Sequence, residues 1–295
     1  MRIAVMGAGA VGSVIGGLLS DHHDVVLIAR KDHAEAVAGD GLRLIGDADR
    51  TFRPKAVTSV EGLPEQDLVL VTVKSYDTAA AALHAAPLVG GETLVVSVQN
   101  GLGNGEVLAE AFGDRAVVGV PVLGATYLGP GSVRLAGLGG ITVGQVRGDV
   151  RRASAVGDVL REAGIPARAV GNIEPAVWMK AIINASINPI TALVRKENGA
   201  ILGSEDLRAI SRSACREGAL AARANGICLG PEDPFQKVLD VVRTTAANRS
   251  SMLQDVERSK RTEIDQINGE LVRRGESRGV PMPVNRALWA LVRSA

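Results

Sequence analysis

The sequence predicts an α/β chain in which a doubly wound parallel sheet is followed by an all-helical C-terminal part. Three observations carry this. Short β-branched runs alternate with helix-like segments through the first part, a glycine-spaced turn follows the first of those runs, and β-branched runs nearly vanish after Gly171. Alternation of this kind is how a parallel sheet with crossover helices reads in sequence.

The strand-like runs lie at 2–6, 24–29, 67–73, 93–98 and 116–122, each bounded by turn residues. Unbroken apolar runs such as Leu68-Val69-Leu70-Val71 suit strands covered by helices on both faces. The longest uncharged stretch, 116–133, approaches membrane-spanning length but contains Pro121, Pro130, Gly119, Gly124, Gly129 and Gly131. A helix does not survive that density of breakers, so the stretch reads as strand, turn, strand. Beyond Gly171, segments rich in Ala, Leu, Arg and Glu predict helices near 174–194, 205–224, 234–242, 255–278 and 285–292. Two domains follow from this change of character, 1–171 and 172–295.

The 295 residues include 33 basic and 32 acidic side chains, a net charge of +1. That balance gives no long-range field to hold a polyanion or an anionic membrane, so neither nucleic acid nor a membrane is an expected partner. Arginines between Arg258 and Arg278 alternate with acids and read as an exposed mixed-charge helix face. Cys215 and Cys228 are too few for a disulfide framework, and no histidine and cysteine cluster has metal-ligand spacing. A glycine turn that begins at Gly7 leaves no room before it for a signal peptide, and a cytoplasmic chain is expected.

The turn reads Gly7-Ala8-Gly9-Ala10-Val11-Gly12, directly after a strand and opening a helix-like segment. In that context the first glycine permits a tight turn, the second lets backbone approach a pyrophosphate, and the third lets helix pack on strand. The expectation is a Rossmann-like dinucleotide fold, the alternative a glycine-rich turn with no ligand. The second strand ends at Arg30, followed by Lys31, where such folds usually place an acid for the adenosine ribose. A guanidinium pairs with a 2′-phosphate, so NADPH is favoured over NADH. The alternative is a solvated surface arginine.

The stretch Trp178 to Val194 is apolar except for Lys180, Asn184, Ser186, Asn188 and Thr191. Lys180, Asn184 and Asn188 recur every four residues, so on a helix all three project from one face. A small polar substrate would satisfy them. Alternatively the asparagines bond backbone freed near Pro189 while Lys180 reaches water. All four histidines, His22, His23, His33 and His84, lie in the first part, which leaves lysine as the acid available for reducing a carbonyl.

These residues, taken together, resemble the ketopantoate (2-dehydropantoate 2-) reductase family over essentially the whole chain. The matching pieces are GAGAVG at 7–12, Arg30, TVK at 72–74, QNGLG at 99–103, GAT at 124–126, WMKAIINASINPITA at 178–192, NG at 198–199, NRSSMLQD at 248–255 and RTEIDQING at 261–269. The resemblance implies NADPH-dependent reduction of a small 2-keto acid, ketopantoate, to (R)-pantoate on the route to pantothenate and coenzyme A. It implies Lys180 as proton donor, and Asn184, Asn188, Asn198, Asn248 and Ser251 as substrate ligands. Lys74, Asn100 and Ala125 would line NADP, and Glu263 would join substrate domain to cofactor and support Lys180. Read alone, Glu263 could equally make a surface ion pair with Lys260 or Arg261. Many members carry Thr-Thr-His where this chain has Pro121-Val122-Leu123 before Gly124-Ala125, which leaves a different 2-keto or 2-hydroxy acid as the second reading. A non-catalytic NADPH-binding regulator is the third, though it would need neither Lys180 nor Glu263. The oligomeric state is not readable from the sequence, and a homodimer is one reading of it.

Overall fold

The structure is a computed structural model and describes residues 1–145 and 149–295. The chain divides into two compact units, Met1–Gln99 with Asn104–Ile173, and Asn100–Gly103 with Glu174–Ala295.

The first unit is built on strands β1 (Arg2–Met6), β2 (Asp24–Ile28), β3 (Leu42–Gly46), β4 (Arg50–Phe52), β5 (Lys55–Val57), β6 (Gln66–Val71), β7 (Val89–Ser97), β8 (Ala116–Gly129), β9 (Ser132–Gly144) and β10 (Ala167–Ala169). They form one sheet in the order β4-β3-β9-β8-β7-β6-β1-β2-β5, with β10 beside β9. Pairings from β8 through β7, β6, β1 and β2 to β5 are all parallel. The predicted strand, turn, strand at 116–133 is the start of a longer antiparallel hairpin, β8 with β9, which extends the parallel sheet on one side. Helices α1 (Ala10–Leu19), α2 (Lys31–Asp40), α3 (Thr78–Ala85), α4 (Asn104–Phe112) and α5 (Val150–Glu162) complete the unit.

Side-chain alternation explains why both faces are covered. Ile3, Val5, Leu68 and Leu70 point into one core with Val14, Ile15 and Leu19 of α1 and Ala153 and Val156 of α5. Their neighbours Ala4, Met6, Val69 and Val71 point into the opposite core with Ala81 and Ala85 of α3 and Leu108 and Phe112 of α4. A strand buried on both faces must be apolar at every position, which is what Leu68–Val71 shows.

The second unit holds α6 (Glu174–Val194), α7 (Ala200–Gly203), α8 (Glu205–Ala224), α9 (Pro234–Thr244), α10 (Ser251–Glu257), α11 (Asn268–Glu276) and α12 (Pro283–Ser294). Its starts carry local signals: Ser204, Asp233 and Ser250 each accept a first-turn N–H through the side chain, and Pro234 and Pro283 open helices where their missing N–H costs nothing. Helix α6 is long and apolar enough to cross a membrane, with a mean hydropathy of 1.3, but 67% of that window is buried inside the fold. It is the core helix of its unit, packed on α8, α9, α10 and α12.

The helix expected over 255–278 is two helices separated by a connector. Helix α10 stops at Glu257, Ser259 takes a left-handed φ of +51°, and the Lys260 N–H closes the end on the Asp255 carbonyl at 2.8 Å. Burial of Thr262, Glu263 and Ile264 then holds the connector in the core until Asn268 starts α11. No glycine or proline marks that break, and tertiary burial overrides the helical charge pattern.

Candidate functional site

Strand β1 lies between β6 and β2, so consecutive chain segments leave it in opposite directions, and the glycine loop emerges at this switch point. Gly7 turns with φ +94°, a conformation open to glycine and strained for other residues. The Gly7 and Ala8 N–H groups both donate to the Ile28 carbonyl at 3.0 Å, so the end of β2 pins the loop. From the other side, the Thr72 hydroxyl donates to the Gly7 carbonyl at 2.7 Å. A Cβ at Gly12 would stand 2.7 Å from that carbonyl and against the Thr72 hydroxyl, so only glycine lets α1 lie this close.

A buried polar chain supports the loop from within. The Gly131 N–H donates to His33 Nδ1 at 3.0 Å, which places the ring proton on Nε2, 3.0 Å from Ser13 Oγ. Ser13 Oγ in turn donates to the Ala8 carbonyl at 3.2 Å. Desolvation lowers the His33 pKa and keeps the ring neutral. The parts that Thr72, Ser13 and His33 play are not readable in the sequence, because each works through backbone contacts 65 or more residues away or through a fold-dependent partner.

The loop fits a dinucleotide pyrophosphate. Gly9 caps α1 without a side chain, the first turn of α1 holds no acid, and the first N–H groups of a helix have no acceptor within it. A Cβ on Gly9 would meet nothing nearer than the Gly7 carbonyl at 3.9 Å, so the space above the turn is open to a ligand. Ala8 is buried, whereas Ala10 and Val11 are part-buried. Arg30 is exposed and caps α2 two residues beyond Ile28, the residue that pins the loop. Lys74 is part-buried just past the end of β6, and Ala125 is part-buried on β8 opposite Leu135.

In the helical unit, α6 carries Lys180, Asn184 and Asn188. Lys180 is part-buried, and desolvation lowers its ammonium pKa from 10.5 to about 8, the opposite of an amine that reaches water freely. Asn184 donates to Asn100 Oδ1 at 3.4 Å, and Asn188 is only 7% exposed. Asn100 begins the short segment that joins this unit; its successor Leu102 donates its N–H to the Gln266 carbonyl at 2.9 Å. Gln266 belongs to the connector that also carries Glu263, whose carbonyl accepts the Gln266 N–H at 3.1 Å. Glu263 is 5% exposed, so it does not sit on a solvated face.

Asn198 and Asn248 meet through backbone, the Asn198 N–H donating to the Asn248 carbonyl at 3.0 Å. The Asn198 amide donates to Thr245 Oγ1 at 2.9 Å, while its buried Oδ1 has no partner among the described residues. Ser251 is exposed as the first residue of α10 and follows Ser250, whose hydroxyl lies 2.8 Å from Thr191 of α6. A cavity of about 460 Å³ opens nearby, walled by Arg195, Lys196 and Arg249 rather than by Lys180 or Asn184.

The asparagines of α6 are not what serves the backbone freed by Pro189. That donor is Asn268, whose amide reaches the Ala185 carbonyl at 3.2 Å. A proline inside a predicted helix was the available signal: the carbonyl four residues earlier must find another donor.

A glycine-loop nucleotide fold followed by an all-helical unit defines the class of two-domain nicotinamide-dependent oxidoreductases. The chain belongs to the ketopantoate reductase family. Residues 3–148 match the family described as ketopantoate reductase PanE/ApbA, and residues 172–295 match its C-terminal counterpart. A curated 2-dehydropantoate 2-reductase of Archaeoglobus fulgidus is 40% identical over 294 residues, 99% of this chain and 97% of that protein. The crystal structure of a PanE/ApbA family ketopantoate reductase from Ralstonia eutropha superposes with a TM-score of 0.92 at 35% identity, covering 100% of this chain and 98% of that one. A D-mandelate dehydrogenase solved with NADH and anilino(oxo)acetate also reaches 0.92, at 25% identity over 100% of this chain and 98% of its own.

Proposed function

We propose that the chain reduces 2-dehydropantoate to (R)-pantoate with NADPH, with Lys180 as proton donor. The observation that carries this is a desolvated lysine in line with two amides on the core helix of a ketopantoate reductase family member. Bound NADPH would supply a hydride to the keto carbon. The alkoxide then developing on the oxygen takes a proton from the Lys180 ammonium, which also stabilises its charge beforehand. A donor with a pKa near 8 is largely protonated at neutral pH yet releases its proton more readily than an ordinary lysine.

Asn184, Asn188 and Asn198 would hold the substrate. Asn248 and Ser251 would hold the carboxylate. Glu263, carried by the connector that also fastens the Asn100 segment, would keep the Lys180 amine charged. For the cofactor, the loop Gly7 to Gly12 would cradle the pyrophosphate, Arg30 the 2′-phosphate, and Lys74, Asn100 and Ala125 the remaining length. Cys215 and Cys228 are both free thiols, which suits a cytoplasmic enzyme. A homodimer is the assembly we propose to test, and sedimentation reads it.

The likeness to D-mandelate dehydrogenase, together with Pro121-Val122-Leu123, supports a second reading in which another 2-keto acid is reduced. One experiment separates the two: initial rates on 2-dehydropantoate and on an aryl 2-keto acid, each with NADPH and NADH. The expected result is turnover of 2-dehydropantoate with a marked preference for NADPH, which Arg30→Ala erodes. Turnover confined to the aryl substrate would replace the first reading with the second, and an equal effect of Arg30→Ala on both cofactors would remove the 2′-phosphate contact.

A further inference from the structure

Pro189 lies inside α6. It has no N–H, and its ring crowds the carbonyl four residues earlier, so the Ala185 carbonyl loses its helical donor. Ala185 is fully buried, and a buried carbonyl left without a donor is costly. Asn268, the first residue of α11 and fully buried, fills the gap by donating from Nδ2 to Ala185 O at 3.2 Å. The second Nδ2 hydrogen goes to Asn285 Oδ1 at 2.9 Å.

The orientation of that amide is dictated by what lies behind it. Asn285 Nδ2 donates to the Glu217 carboxylate at 2.8 Å and to the Ala214 carbonyl at 3.0 Å, so Asn285 turns its oxygen to Asn268. Asn268 must answer with its NH2 group. Glu217 also accepts the Val284 and Asn285 N–H groups at 2.8 and 2.9 Å, which anchors the chain of amides at the start of α12. The network therefore ties α6 to α8, α11 and α12 at one carbonyl.

That carbonyl lies between the two amides of the polar face, one residue after Asn184 and three before Asn188. We propose that Asn268 is a positioning residue for the reaction: it returns to α6 the hydrogen bond that Pro189 removes, and so holds the turn bearing Asn184 and Asn188 in the geometry the substrate needs. The inference rests on the proposed role of that face in binding the 2-keto acid.

Pro189→Ala restores an N–H four residues after Ala185, which makes the tether dispensable and gives the test. Asn268→Leu is expected to raise KM for 2-dehydropantoate by roughly 10- to 100-fold, the scale of small misplacements of binding groups, with KM for NADPH little changed. In the Pro189→Ala background the same substitution should recover most of that loss. Should Asn268→Leu fail to fold, Asn268→Ser, too short to reach the carbonyl, is compared in the two backgrounds in the same way. Equal losses with and without Pro189 would overturn the proposal. Amide hydrogen exchange across α6 in the four proteins needs no substrate: faster exchange in the single variant, reversed in the double, supports the tether even if the substrate is another acid. Unchanged exchange would refute it.

Discussion

Lys180 pairs a catalytic use with a thermodynamic cost. Its amine has a pKa of about 8 folded against 10.5 as the ordinary value, so between those values the unfolded chain binds more protons than the folded one. Stability then falls as pH drops through that window and stays reduced below pH 8. The shift corresponds to about 3 kcal/mol. Lys180→Met should therefore stabilise the ligand-free protein at pH 7 by up to that amount, with the gain shrinking toward pH 10.5; denaturant titrations at pH 7 and pH 10 read it directly. The same pKa governs turnover. In the reductive direction kcat/KM should decline above about pH 8, and in the oxidative direction, which needs the neutral amine, it should rise there. A reductive profile flat beyond pH 10 would remove Lys180 as the donor.

At the scale of elements, the glycine loop separates fold from ligand. Gly7 is demanded by its φ and by Val73, against which a Cβ would stand at 2.5 Å, whereas Gly9 faces open space. Gly7→Ala should lower the melting temperature, while Gly9→Ala should leave it nearly unchanged and weaken NADPH binding, measured by titration of cofactor fluorescence; equal effects of both changes would contradict the ligand's placement above Gly9. Such elements were legible because their signals are local. Strand, glycine turn and helix follow one another within 20 residues, and the extents of α6 and α8 can be read from their apolar patterning alone. The break between α10 and α11 was not legible, since it turns on Ser259 in a left-handed conformation and on Glu263 being drawn into the core. Long-range partners were likewise silent: nothing near Asn268 in sequence says that it serves a carbonyl 83 residues earlier.

Over the whole molecule, the near-neutral charge leaves binding to local groups, and those groups are divided between a nucleotide unit and a helical unit. The boundary is not a single point in the chain, because Asn100–Gly103 leaves the end of β7 to pack with the helices. A change of composition near Gly171 reveals the main division but not this excursion, whose contact with Gln266 is tertiary. The reaction proposed for the chain needs both units in one protein: the loop after β1 for the cofactor, and α6 for the proton. Its most direct test is NADPH oxidation on addition of 2-dehydropantoate, followed at 340 nm for the wild-type chain and for Lys180→Ala. The proposed reaction predicts steady turnover by the former and a loss of roughly 10²- to 10⁴-fold in kcat for the latter, with NADPH still bound. Near-normal turnover by Lys180→Ala, or none by the wild type, would contradict it.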